Sequence, residues 1–208
     1  MTTAIRVEPL PGLCVVALRA EFTSPMSSLP TLPVPLSAPE PDSDLRTAVR
    51  DMLRQRGYRP TGRGKPSSEY LAGALADGRW PCINAAVDAG NHASLQSGLP
   101  ISVVDLDLVS GALSVATSPE GATYVFNQGG QTIDLGGLVC LCDEQGPCAN
   151  AVKDAQRTKT RPETTRVLAV VWGCDAGQPG RTQRAADVLA AAMQAAGAVV
   201  ARVDTVAG

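Results

Sequence analysis

Pro25, Pro30, Pro33, Pro35, Pro39 and Pro41 crowd the segment SPMSSLPTLPVPLSAPEP at 24–41. Each proline fixes its own φ and removes a backbone donor, so this stretch excludes a helix and any central strand. It is expected to run as an extended connector or as an arm lying on the surface. The fold must therefore be built from what lies on either side. On the N-terminal side, residues 5–20 carry Leu13, Val15, Val16 and Leu18 and read as a strand.

On the C-terminal side the pattern alternates between helical and strand periods. Ser43 can cap a helix running to Gln55, with Gly57 as its stop. Leu45, Val49, Met52 and Leu53 form its apolar stripe, and Arg46, Arg50 and Arg54 form a basic stripe beside it. Residues 68–77 read as a second helix with Tyr70, Leu71 and Leu75 inward and Gly78 at its end, and 83–97 as a third. Short strands are expected near 101–106, 112–117, 123–127, 131–135, 137–142 and 166–172, separated by turns such as Ser118-Pro119-Glu120-Gly121. An Ala-rich helix at 182–196 and a strand at 198–203 close the chain. This order predicts an α+β fold with a β-rich centre and helices on one side. The expected division is an N-terminal strand (1–23), a Pro-rich connector (24–42), a main domain (43–175) and a helix–strand extension packed on that domain (176–208).

With 208 residues, 44% of them hydrophobic, the chain can bury a sizeable core. Aromatics are only 3%, so aliphatic side chains must fill it. No apolar run approaches a membrane span, and MTTAIRVEPLPG lacks the basic-then-apolar order of a secretory signal. The expected location is the cytoplasm, with the six cysteines reduced. Cys140 and Cys142 stand as a strand CxC without the CxxC knuckle of zinc sites, and neither a metal nor a cofactor is expected.

The net charge is −2, but its distribution is lopsided. Arg46, Arg50, Arg54, Arg56, Arg59, Arg63 and Lys65 form one cluster, and Lys153, Arg157, Lys159, Arg161 and Arg166 another. Brought together, they would make a face for phosphate. Three polar runs are expected to assemble a site: GRGKPSSEYL at 62–71, INAAVDAGNHASLQSGLPISVVDLD at 83–107 and GPCANAVKDAQRTKT at 146–160. The first is not a Walker loop, because Arg59 and Pro66 occupy the glycine and hydroxyl positions that motif needs. It leaves Arg63 and Lys65 on a flexible loop entering a helix N-terminus, which favours an anion. Asp88 and His92 lie four apart on one helix and could pair for proton transfer, although a single histidine cannot support a multi-histidine site. In KDAQRTKT, Gln156 and Thr158 can orient a water or a carbonyl while the cations hold phosphate.

The second run, together with GALSVATSPEGATYVFNQGGQTIDLGGLVCLCD, resembles the B3/B4 editing module of the phenylalanyl-tRNA synthetase beta subunit. The likeness runs from about 44 to 172. The opening GRGKPSSEYL and closing CANAVKDAQRTKT are more similar to free-standing relatives of that module. The resemblance implies a B3/B4-like layered fold and hydrolysis of the ester joining a wrong amino acid to tRNA, with tRNA as partner. Asn91 and Asp105 match the module. Ser102 stands where it usually has His, Gly90 where it usually has Thr, and Gln156 at its active-site Glu. The expected roles are Asn91, Ser102 and Gln156 on the water or ester carbonyl. Asp88, Asp105, Asp154 and Thr158 are expected to bind the substrate. Arg63, Lys65, Lys153, Arg157 and Lys159 are expected at the tRNA 3′ end. The two departures at Ser102 and Gln156 leave a second expectation open, a module that binds an amino acid or aminoacyl compound without turnover. A third is a hydrolase or transferase for small aminoacyl conjugates.

Overall fold

The computed structural model describes residues 4–208; residues 1–3 of the expected N-terminal segment lie outside the described residues. Two sheets and a layer of helices are stacked on one another. A four-stranded sheet is the middle layer, ordered β10-β2-β9-β3, with β2 at Cys14–Phe22, β3 at Ile101–Asp105, β9 at Arg166–Gly173 and β10 at Ala198–Val203. All its pairings are antiparallel. On β9, Val167, Ala169 and Val171 face the helices, while Leu168, Val170 and Trp172 face the second sheet. All six are fully buried, which is why the segment reads as one continuous apolar run.

The second sheet is ordered β11-β1-β4-β7-β8, with β1 at Ile5–Val7, β4 at Ser114–Thr117, β7 at Val139–Asp143, β8 at Gly146–Asn150 and β11 at Thr205–Ala207. The single strand expected over 5–20 is thus two strands in different sheets. Pro9 and Pro11 deny this stretch the donors of a continuous ladder. β8 opens a run that reads as polar loop. It forms on the sheet edge, where Pro147 costs no ladder bond, beside an irregularity at Leu141/Cys142. β11 pairs in parallel with β1, a long-range contact with no local signal. A separate hairpin joins β5, Thr123–Val125, to β6, Thr132–Asp134.

Helices α1 (Ser43–Arg54), α3 (Ala85–Ser97) and α4 (Arg181–Ala195) cover the other face of the four-stranded sheet, so the helices do lie on one side of a β-rich centre. α1 is capped by Asp42 rather than Ser43: Leu45 N–H donates to Asp42 Oδ1 at 2.8 Å. α2 (Ser67–Ala76) turns Ser68, Leu71 and Ala74 inward and leaves Tyr70 51% exposed, because the inward face advances by three residues and passes over Tyr70. Apart from a single 3-10 turn at Met26–Ser28, the Pro-rich segment forms neither helix nor strand. Leu32 N–H ties it down by donating to Asp88 Oδ2 at 3.2 Å. Among the described residues no helix is long and apolar enough to cross a membrane.

Candidate functional site

Where α1 ends, the chain turns along the rim of the two-sheet core. Tyr58 buries its ring there and donates its hydroxyl to the Gly64 carbonyl at 3.0 Å, closing the loop 58–64. Burial pushes this phenol up to about 12, so it remains a donor at neutral pH. The β5–β6 hairpin stands opposite. The turn after it lies directly on the chain leaving α1: a Cβ on Gly137 would sit 2.1 Å from the Arg56 carbonyl oxygen. Between loop and hairpin opens a cleft of about 710 Å³, within the range of small-ligand sites. Arg59, Arg63 and Lys153 line it with Phe126 and Ile133, and Glu120 and Asp134 supply its carboxylates.

The charges of this region divide into spent and unspent. Arg46 and Arg50 of the α1 stripe both reach Glu69, and Arg54 reaches Asp51. Arg59, Arg63, Lys65, Lys153 and Lys159 make no salt bridge among the described residues. The Lys153 ammonium stands 4.1 Å above the centre of the Phe126 ring, a cation–π contact. Desolvation, then the nearby Arg63 and Lys159 charges, hold its pKa below the usual lysine value. Lys159 donates to the Phe126 carbonyl at 2.6 Å, and burial lowers its pKa too. Phe126 is therefore held at both ring and backbone.

Of the residues expected at the tRNA end, Arg63 and Lys153 line the cleft, and Lys159 lies beside it. Lys65 faces another groove between α1, α2 and α4. Arg157 is committed elsewhere: it grips the fully buried Asp143 carboxylate through two bonds of 2.8 and 2.7 Å and also donates to the Gly146 carbonyl.

Ser102 is buried in the two-sheet core. Its Oγ lies 2.7 Å from Asp154 Oδ1 and 3.1 Å from the Asn150 carbonyl, and it accepts a bond from Trp172 Nε1 at 2.9 Å. Burial raises the Asp154 carboxyl to about 6. Thr158, also buried, donates to the Cys148 carbonyl at 3.0 Å. Gln156 is half-buried on a 3-10 turn, Gln156–Thr158, outside the cleft lining.

Asp88, Asn91 and Asp105 are not gathered into the cleft lining. The Asp88–His92 pair does not form. Asp88 instead accepts from Ile83 N–H at 2.8 Å and from the Pro-rich arm, while His92 meets the Trp80 ring edge-on at 5.5 Å. Asp105 accepts from Thr164 Oγ1 at 2.6 Å and from Asp107 N–H at 2.9 Å, holding the end of β3. Burial pushes the Cys140 thiol up to about 12 and Cys142 to about 11, which keeps both protonated. Sequence reasoning missed Tyr58, Phe126, Glu120 and Asp134 as cleft residues. The one available signal was Tyr124 and Phe126, two of very few aromatics, set in a polar stretch.

A model of the B3/4 domain family matches residues 56–194. The phenylalanine–tRNA ligase beta subunit of Cutibacterium acnes (strain DSM 16379 / KPA171202) is 26% identical over 164 residues. That alignment takes in 78% of this chain but only 16% of the relative. In structure the chain is similar to an N-terminal fragment of the phenylalanyl-tRNA synthetase beta-subunit from Pyrococcus horikoshii, at a TM-score of 0.55 and 12% identity, covering 100% of this chain and 52% of the fragment. The family match spans the cleft loop, the hairpin, Lys153 and most of α4, and by it the chain belongs to the B3/4 domain family.

Proposed function

We propose that the protein binds the aminoacylated 3′ end of a tRNA in this cleft and hydrolyses the ester of a mischarged tRNA in trans. One observation carries the reading. Arg59, Arg63 and Lys153, none of them ion-paired among the described residues, share a cleft with an aromatic ring and two carboxylates. Unspent cations suit phosphates, and a ring backed by a cation suits a stacked base. Glu120 and Asp134 suit the α-ammonium that an aminoacyl ester carries. In the reaction a water oxygen bonds to the ester carbonyl carbon and the bond to the ribose oxygen breaks. The water's proton ends on the ribose hydroxyl, releasing amino acid and tRNA. The ester is already activated, so positioning the water and stabilising the oxyanion suffice, each donor being worth about 10²–10³ in rate. Ser102 takes no part in this scheme, since its hydroxyl is enclosed by Asp154, Asn150 and Trp172.

That same enclosure favours a second reading, a module that binds the aminoacylated end without turnover. A panel of mischarged tRNAs separates the two. Ester loss that falls about tenfold or more in Arg63→Ala and Lys153→Ala, with the fold intact, supports the deacylase. Binding that weakens in the same variants, with no ester loss by the parent protein, supports the module. Neither binding nor ester loss with any tRNA would overturn both.

A further inference from the structure

We infer that Tyr124 and Asn150 are positioning residues, whose task is to aim the Lys153 ammonium into the cleft. The inference rests on the tRNA reading of that cleft. Lys153 follows β8 in a turn that no backbone ladder organises. Both of its peptide groups are held by side chains instead. Asn150 Oδ1 accepts from Lys153 N–H at 2.9 Å and from Val152 N–H at 2.8 Å. The Lys153 carbonyl accepts from the Tyr124 hydroxyl, and that hydroxyl accepts in turn from Asn150 Nδ2. Three side-chain polar atoms, from β5 and β8, thus close a ring around one residue. Asn150 is 98% buried, so these bonds have no water to replace them. Burial raises the Tyr124 phenol far above its ordinary value, so it stays a donor at any working pH.

The ring also joins two walls. Tyr124 belongs to the hairpin that carries Phe126, Ile133 and Asp134, and Asn150 belongs to the sheet behind Lys153. Lys153 is set over the Phe126 ring from the same hairpin. Arg59 and Arg63 share the cleft on a loop whose side-chain bond runs from Tyr58 to Gly64 and to neither of them. Of the three cleft cations, only Lys153 has, among the described residues, its backbone held by side chains at both its N–H and its C=O.

A double-mutant cycle tests this, with one tRNA as the probe and its dissociation constant as the readout. Tyr124→Phe removes a single hydroxyl and is expected to weaken binding about tenfold when Lys153 is present. In the Lys153→Ala background the same change is expected to cost less than about twofold, since there is no ammonium left to aim. An equal loss in both backgrounds would mean that the hydroxyl serves the fold at large, and no loss in either would mean that it positions nothing; either result overturns the inference. Should Tyr124→Phe fail to fold, Asn150→Ser runs the same cycle. If the parent protein binds no tRNA, the underlying reading falls and takes the inference with it, and that failure is visible before any variant is made.

Discussion

Lys153 and Arg157 sit in one polar octapeptide, and the fold gives them opposite tasks. Arg157 neutralises a carboxylate that has no other charge partner among the described residues and is wholly enclosed. Its removal leaves the buried Asp143 carboxylate with only the Ser110 and Gln145 N–H groups as partners and no countercharge, so Arg157→Ala is expected to cost about 3 kcal/mol in urea unfolding. Lys153→Ala removes a cation that has no ion pair but does have a cation–π contact with Phe126, and is expected to cost no more than about 1 kcal/mol while weakening tRNA binding. Asp154 gives a pH signature. Its native pKa is raised to about 6 from 3.8, so the folded state binds this proton first. Stability from this group therefore rises as the pH falls from about 6 to 4, and is lowest above 6. Asp154→Asn is expected to narrow its advantage over the parent protein across that fall. A melting-temperature difference that stays constant from pH 7.5 to about 4.5 would contradict it.

At the scale of elements, close approach decides which residues are tolerated. Gly137 has φ 72° and faces the Arg56 carbonyl oxygen at a distance no Cβ could occupy, so it locks the turn that follows the hairpin to the chain leaving α1. Gly137→Ala is expected to destabilise by about 3 kcal/mol and to open the cleft, seen as a lower melting temperature together with weaker tRNA binding. Gly90 explains one departure from the resembled module. α3 lies so near β3 that a Cβ at this position would come 2.8 Å from Val103 Cγ2, leaving no room for threonine without a shift. The α1 cap moves one residue from the expected Ser43 to Asp42, and Asp42→Ala is expected to cost about 1 kcal/mol.

For the whole molecule, three layers bring the cleft together from segments far apart in the chain. The net charge of −2 does not attract RNA, so any attraction must be local. Three cleft cations on a single strand predict that log affinity falls with log salt at a slope of about −2. A flat titration between about 50 and 200 mM salt would exclude phosphate contact in the cleft.

The periodicities alone carried the helices, most of the strands and the α+β order, because an apolar face repeats within a few residues and needs no partner to be read. The six prolines of 24–41, rather than any period, marked the arm. The periodicities missed β8 and β11, which are edge strands held by pairing rather than by pattern. Only the tertiary structure decided which polar groups remained free. Ser102 and Trp172 are 70 positions apart when they bond, and Thr164 and Asp105 are 59. A charged or hydroxyl side chain looks the same in sequence whether it waits for a ligand or is already saturated, since the difference lies in a partner supplied from elsewhere in the fold.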